Sequence, residues 1–240
     1  MVIVVRMESK WLRSWTYGFC LLLLAAASGW KWHEFAMFPP LETWSMLFGY
    51  FAFFLIGATL LIGPLCTWLP ASWAPTLLSI RRDVGIYAGL TGLLHTAMVL
   101  VLFQGEPRLL ILSDSQAPKA DGWLGLFFLS STESGSWGWP VPNWSLAGVA
   151  NYLGACALLI LFALWVSSFP PAKKWLGTAA WKRLHLSNPF LFLLVLFHGF
   201  IYVQTIKGEP HSFADLLWLA ALVWLARGMS FLTAILRRKR

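Results

Sequence analysis

Long apolar stretches recur along the chain and constrain its fold more than any other feature. Crossing the ~30 Å hydrocarbon core of a bilayer takes roughly 20 helical residues. Six segments come close to this length or exceed it: 14–30, 44–67, 84–104, 145–167, 186–206 and 213–235. The last contains Arg227 and is otherwise apolar. Since 58% of the residues are hydrophobic and only 12% are charged, the composition is that of a membrane protein.

These stretches are continuously apolar and do not alternate between apolar and polar residues. In lipid, every backbone polar group has to be paired internally, and continuous apolar runs favour helices over a β-barrel. The sequence therefore predicts an all-α integral membrane protein. Its expected architecture is a six-helix transmembrane bundle, formed by a single domain that covers residues 1–240.

The net charge of +8 is distributed unevenly between the two sides of the predicted membrane. If the N-terminus is inside, the inner segments contain 14 of the 18 basic residues: Arg6, Lys10, Arg13, Arg81, Arg82, Lys173, Lys174, Lys182, Arg183, Arg227 and Arg237 to Arg240. The outer segments contain the other 4: Lys31, Arg108, Lys119 and Lys207. This bias obeys the positive-inside rule and predicts that both termini are cytoplasmic. The basic character thus reflects topology, and no nucleic-acid partner is expected.

Two segments allow more than one interpretation. The first span has a basic start, a short apolar run and small residues at 25–28, which are also features of a cleaved signal peptide. We expect it to be retained, because the remaining loops fit the same orientation with it in place. The long outer loop 105–144 contains acidic residues and the apolar patch 123–129. It is either a segment on the membrane surface or a docking platform over an outer redox site.

Three of the five histidines lie in or at the start of predicted spans: His95, His185 and His198. Ionisable or metal-binding side chains at membrane depth are costly, and they indicate function by default. Spans three and five run in the same direction; His95 lies 14 residues beyond Arg81 and His198 lies 16 beyond Lys182. At a rise of 1.5 Å per residue, the two imidazoles lie within about 3 Å of the same depth.

Two neutral imidazoles at the same depth can bind one haem iron from its two faces. Gly92, three residues before His95, and Gly199, beside His198, would let a flat macrocycle approach the helix backbones. We therefore expect His95 and His198 to be the iron ligands of a b-type haem at the outer site.

His185 lies 13 residues before His198 and roughly 20 Å nearer the cytoplasm. A straight helix would turn the two side chains about 140° apart, so a shared face requires a distortion, for which Pro189 supplies a cause. One interpretation is an interfacial histidine whose tip is in water. The other is an axial ligand to a second, inner haem.

Other cofactor chemistry finds little support in the sequence. Cys20, Cys66 and Cys156 lie in different spans or at their ends, without a Cys-x-x-Cys pair or a Cys-x-x-Cys-His attachment for covalent haem. There is no P-loop and no Gly-x-Gly-x-x-Gly after a strand. Nearly all residues belong to spans and short loops, so a nicotinamide or flavin domain must belong to a partner. His33 and His211 on the outer side could bind a metal substrate, but isolated histidines without clustered carboxylates are more often plain loop residues, and we interpret them so.

Two motifs resemble those of the ferric-reductase-like transmembrane domain, and the six predicted spans match that domain over nearly the whole chain. The two motifs are Arg81-Arg82-x-x-Gly85 leading to His95, and Trp181-Lys182-Arg183-Leu184-His185 leading to His198. Within that family, the chain resembles the stand-alone haem-binding membrane subunit of the bacterial protein-methionine-sulfoxide reductase system. In larger members of the family, spans three and five each bring two histidines and stack two haems. The resemblance implies that His95 and His198 are the outer pair and His185 the inner ligand of span five.

The chain departs from the family pattern at the inner site. The inner ligand of span three would fall at Arg81, which is not a histidine, and Leu186 follows His185 where the family often has Arg. An arginine ligand, an open site and no second haem are all compatible with this sequence. The cofactor expectation is therefore haem b, in one or two copies. FMN or a quinone is an additional candidate.

The resemblance implies a b-type cytochrome that relays electrons across the bacterial inner membrane. The donor would be a cytoplasmic flavin reductase or a membrane quinol, and the acceptor a periplasmic methionine sulfoxide reductase, ferric ions or oxygen. As a redox subunit it would have no nicotinamide or flavin domain of its own. The alternatives are a non-catalytic haem-binding or assembly subunit of a larger membrane complex and a six-span transporter, though spans two and three lack the intramembrane acids that proton coupling commonly uses.

Overall fold

The computed structural model describes residues 2–103, 126–129, 141–206 and 213–238, and nearly all of them are helical. The helices are α1 (Val2–Phe35), α2 (Pro40–Trp68), α3 (Ala74–Phe103), α4 (Leu146–Ser167), α5 (Pro170–His185), α6 (Asn188–Phe200) and α7 (Ala214–Arg238). A short 3₁₀ helix, Ala71–Trp73, precedes α3, and a π-helix, Ile201–Ile206, continues α6. The expected all-α membrane class is confirmed.

Four of the described helices are long and apolar enough to cross a membrane, namely α2, α3 with its 3₁₀ turn, α4 and α7. The pair α5 and α6 is a fifth candidate if it is counted as one bent span. Helix α1 covers the predicted span 14–30 but is not among these candidates. Its apolar run is bounded by Arg13 and Lys31 and is diluted by Ser14, Thr16 and Tyr17.

The segment between α4 and α6 differs from the prediction. It forms a helix of its own, α5, which ends at His185, and α6 continues at an angle of 52°. The break lies at Leu186 and Ser187, and Pro189 occupies the first turn of α6. Proline is tolerated there because the first N–H groups of a helix have no partner within it. The expected distortion between His185 and His198 is therefore present.

Helix α2 is the centre of the bundle and packs against α1, α3, α6 and α7. Phe53 of α2 stacks on Phe192 of α6 at 4.6 Å between ring centroids, and both rings are buried. Large apolar side chains also cover the outer surfaces of the peripheral helices, with Leu159, Phe162 and Phe231 at least half exposed. An apolar exterior of this kind suits contact with lipid and not with water.

The bundle has two ends, which we call upper and lower. At the upper end α2, α4 and α7 begin, and the Tyr50 hydroxyl of α2 donates a hydrogen bond to Asp215 of α7. At the lower end α2 and α7 finish, and Thr67 and Ser230 share a hydrogen bond of 3.0 Å. Because consecutive helices alternate in direction, residues distant in sequence meet at each end.

Part of the predicted outer loop 105–144 is described and belongs to the upper end. Its β1 strand (Phe128–Leu129) pairs antiparallel with β2 (Val141–Pro142), and neither strand was expected from the sequence. The two interpretations of this loop rest mainly on residues 105–125 and 130–140, which lie outside the described residues.

Candidate functional site

Two histidine rings lie edge to face in the upper half of the bundle. His95 comes from α3 and His198 from the last turn of α6, and each is partly buried. Their ring centroids are 6.4 Å apart and their planes differ by 72°. The structure thus brings together the two residues that were expected at equal depth in the membrane.

A backbone carbonyl fixes each ring through its Nδ1 atom. The Nδ1 of His95 lies 2.8 Å from the carbonyl oxygen of Ser45 in α2, and that of His198 lies 2.8 Å from the carbonyl oxygen of Ala150 in α4. A carbonyl oxygen only accepts, so each Nδ1 carries the proton and donates it. Each neutral ring therefore has its lone pair on Nε2, the tautomer of a metal-ligating histidine that is oriented by a backbone carbonyl.

The spacing of the two rings suits ligation of one metal ion from opposite sides. A metal–nitrogen bond of ~2 Å, with the ring centre about 1.2 Å behind the nitrogen, places the centroids of two such imidazoles about 6.4 Å apart. The described residues contain no group of three or more His, Cys, Asp or Glu side chains that could hold a metal ion. Two imidazoles without further protein ligands suit a metal whose other four positions are filled by a macrocycle, as in haem.

Glycines on the opposite helices make room for the two rings. A Cβ atom at Gly49 would lie 3.0 Å from Nδ1 of His95, and one at Gly154 would lie 2.9 Å from Nδ1 of His198. Gly92 and Gly199 were expected in a different role, the close approach of a macrocycle to the helix backbones, and that stays a prediction. A Cβ atom at Gly92 would meet Leu161 and one at Gly199 would meet Phe213, so both glycines also allow close packing.

A polar network that sequence reasoning missed adjoins His198. The ring of Tyr202 lies 5.1 Å from that of His198, and its hydroxyl donates to Oδ1 of Asn151. The Nδ2 of Asn151 donates to the carbonyl oxygen of Leu126 at 2.8 Å. The available signal was the presence of Asn151 and Tyr202 within otherwise apolar spans. The network ties the described part of the outer loop to the histidine pair.

The lower end positions His185 in a different way. Its Nε2 lies 3.1 Å from Oγ of Ser167, and that hydroxyl donates its own hydrogen to the carbonyl oxygen of Leu164 at 3.0 Å. The hydroxyl oxygen therefore accepts from Nε2–H, and the lone pair of the ring is on Nδ1. The ring also packs on Trp181, with 4.3 Å between centroids.

Arg81 is the other residue expected at the inner site, and the structure places it in α3 near His185. The positive charges of Arg81 and Lys173 both act on His185. Arg81 is itself repelled by Arg227 of α7. The neighbouring acid, Asp83, is fully buried and pairs with Arg13 and Arg82 instead. Within the described part of the chain, the lower site thus offers one imidazole surrounded by cations.

A comparison with known families finds one match. The family described as "ferric reductase like transmembrane component" matches residues 48–196, which is more than half of the chain. The chain belongs to this family. The matched region of this ferric-reductase-like protein includes Arg81, His95 and His185 and ends two residues before His198. A search of curated proteins finds no match. Family membership indicates a membrane component of redox or electron-transfer systems.

The ferric-reductase-like protein also has a charged cluster at its upper end that was not anticipated. Lys31, which was assigned to an outer segment, lies in α1 with only 3% of its side chain exposed. Its Nζ atom lies 2.9 Å from Glu34 and 3.0 Å from Asp215, which also accepts from Tyr50 at 2.5 Å. The cluster joins α1, α2 and α7. His33 is exposed on α1 and not in a loop, whereas His211 lies outside the described residues.

Proposed function

We propose that the protein is a b-type haem cytochrome that carries electrons across a membrane. The observation that carries this proposal is the close pair His95 and His198, with ring centroids 6.4 Å apart and both Nδ1 atoms bonded to carbonyl oxygens. Haem bound there would supply a one-electron iron couple. Membership of the ferric-reductase-like family supports the redox role.

The protein residues contribute orientation and neutral ligands in this mechanism. Ser45 and Ala150 hold the rings through their carbonyl oxygens, so little rearrangement accompanies a change of charge at the metal. Packing of α2 against α3 and of α4 against α6 keeps each ring against the helix whose carbonyl orients it. Neutral ligands disfavour an additional positive charge at the metal, so they raise its reduction potential.

We propose six spans with both termini in the cytoplasm, in which α1 is the first span and the α5–α6 pair provides the fifth. The distribution of basic residues supports this orientation, with 14 of 18 on the inner side. The lower end would then face the cytoplasm and the histidine pair would lie in the outer half. A bacterial inner membrane is the location that this topology suits.

Electrons would enter at the lower end from a cytoplasmic flavin reductase or a membrane quinol. The cations near His185, among them Arg81 and Lys173, suit an anionic donor such as the phosphate of FMN. They would leave at the upper end, where a periplasmic methionine sulfoxide reductase is the acceptor that we propose. Ferric ions and oxygen are the acceptors to compare with it in an assay.

A second haem on the lower side remains a prediction of the sequence. It would have His185 on one face and Arg81 as the nearest candidate on the other. Helix α6 alone rises ~15 Å from Asn188 to His198, which favours an intermediate carrier between the two ends. His185 would bind such a haem through Nδ1, or through Nε2 after turning from Ser167, because Nε2 is engaged there.

Absorption spectroscopy of the purified protein tests the proposal. The chain is produced with sufficient haem, purified in detergent and reduced with dithionite. Sharp bands of a six-coordinate b-type cytochrome are expected, because two imidazoles complete the coordination of the iron. A colourless preparation would refute the cytochrome. A haem protein that reduces no acceptor when supplied with a flavin reductase would instead favour a non-catalytic subunit.

A further inference from the structure

Each histidine ring packs against a neighbouring helix at the same kind of site, which we call its seat: a backbone carbonyl and, four residues later, a glycine. On α2, the carbonyl of Ser45 accepts from His95, and the glycine that receives the ring is Gly49, four residues later. On α4, the carbonyl of Ala150 accepts from His198, and the glycine is Gly154, again four residues later. The pattern is thus a carbonyl at position i and a glycine at i+4, repeated on two helices.

Helix geometry explains why the pattern has this spacing. Residues i and i+4 lie above one another on the same face, and the carbonyl of residue i points towards residue i+4. The carbonyl oxygen has two lone pairs, so it accepts from the backbone N–H of the glycine and from the imidazole. A ring that reaches this carbonyl must lie over residue i+4. A side chain at that position would occupy the same space.

The contact distances are short enough to exclude any other residue without movement of the ring. A Cβ atom at Gly49 would lie 3.0 Å from Nδ1 and 3.2 Å from Cε1 of His95. One at Gly154 would lie 2.9 Å from both of these atoms in His198. Contacts between carbon and neighbouring atoms are optimal at about 3.5–4.0 Å, so a methyl group at either position would force the ring to shift.

We propose that Gly49 and Gly154 are positioning residues, which set the planes of the two axial imidazoles at a steep angle to each other. The inference rests on the proposed haem function and adds a specific property to it. The observed angle is 72°. Each imidazole donates π-electron density to the iron d orbital perpendicular to its own plane. With nearly perpendicular planes, two d orbitals remain close in energy, and the low-spin ferric state has a highly anisotropic electron paramagnetic resonance (EPR) signal.

The test substitutes each glycine separately, as Gly49→Ala and Gly154→Ala. We expect a less anisotropic low-spin EPR signal in both variants, because the added methyl group turns the ring from its carbonyl. We also expect haem to be lost to a haem-scavenging apoprotein roughly tenfold faster, as is typical when the partner that orients a metal ligand is disturbed. Both readouts are independent of enzymatic activity.

Gly57 and Gly63, which lie in α2 like Gly49, serve as matched controls. A Cβ atom at Gly57 would lie 3.1 Å from Leu219 and 3.2 Å from Phe192, so Gly57→Ala crowds the core of the bundle as tightly but touches neither histidine. A Cβ atom at Gly63 would meet nothing within 4 Å. Both control variants should have the wild-type EPR signal and the wild-type rate of haem loss.

The possible results separate the inference from the function beneath it. Wild-type EPR signals in both Gly49→Ala and Gly154→Ala, or the same change in Gly57→Ala, would overturn the positioning role. If Gly49→Ala and Gly154→Ala do not accumulate, the EPR signal of the wild-type protein is the test. A rhombic signal, which is typical of parallel imidazole planes, would overturn the inference. Wild-type protein without haem would instead refute the proposed cytochrome itself.

Discussion

The upper and lower ends of the bundle each contain partly buried histidine, but its ring nitrogens are used in opposite ways. At the upper end, His95 and His198 lie close together, and their Nδ1 atoms donate to carbonyl oxygens, which leaves both Nε2 lone pairs available. At the lower end, no second histidine among the described residues pairs with His185, and its Nε2 donates to Ser167. The hydrogen-bond partner of a histidine thus decides which ring nitrogen is left to bind iron.

The two ends also differ in how their charged side chains are paired. The upper cluster pairs Lys31 with Glu34 and Asp215. At the lower end, Arg81 and Arg227 repel each other, and the nearby Asp83 is engaged by Arg13 and Arg82. The charged groups of the upper cluster are therefore paired with one another, whereas the lower end suits an external anion.

The largest expected effect follows from removal of either upper ligand. His95→Ala or His198→Ala should each abolish most of the bound haem, because a single imidazole leaves one face of the iron without a protein ligand. Haem content per protein is measured by the pyridine haemochrome assay. His33→Ala and His211→Ala are the matched controls and should leave the content unchanged; loss of haem in these two would contradict the assignment.

A smaller effect is expected at the lower end. If His185 ligates a second haem, the wild-type ratio of haem to protein exceeds one, and His185→Ala lowers it towards one. The low-spin signal of the upper site should persist, since its two ligands are unchanged. A wild-type ratio of one that His185→Ala does not alter would show that the lower haem does not exist.

Breaking the upper ion-pair cluster should affect stability and not haem ligation. Lys31→Met leaves Glu34 and Asp215 without their shared cation in a largely buried site, which typically costs about 3 kcal/mol of unfolding free energy. Urea unfolding in detergent, followed by tryptophan fluorescence, measures the change. An unfolding free energy equal to that of the wild type would show that the cluster is not a structural link between α1 and α7.

The smallest effect is expected from the corresponding cation of the lower end. Arg227→Met removes a charge that repels Arg81, so the unfolding free energy should not fall by more than about 0.5 kcal/mol. The same urea titration compares this variant directly with Lys31→Met. A loss as large as that of Lys31→Met would mean that Arg227 has a stabilising partner and that the contrast between the two ends is wrong.

Hydropathy and the depth of the histidines were sufficient to predict the helical class and the meeting of His95 with His198. Depth along a helix follows from residue count alone, whereas rotation about the helix axis depends on packing. For this reason Gly49 and Gly154 were missed, since only the packed bundle shows which helix each ring meets. Helix α5 was also missed, because its charged sequence does not have the apolar pattern of a span.

The most direct test of the account uses the fact that the chain has only five histidines. A triple variant, His33→Ala with His185→Ala and His211→Ala, retains His95 and His198 alone. We predict that it binds one haem per protein and gives a low-spin ferric EPR signal with two imidazole ligands. Absence of haem from this variant, or a high-spin signal, would contradict the claim that these two residues hold the iron between them.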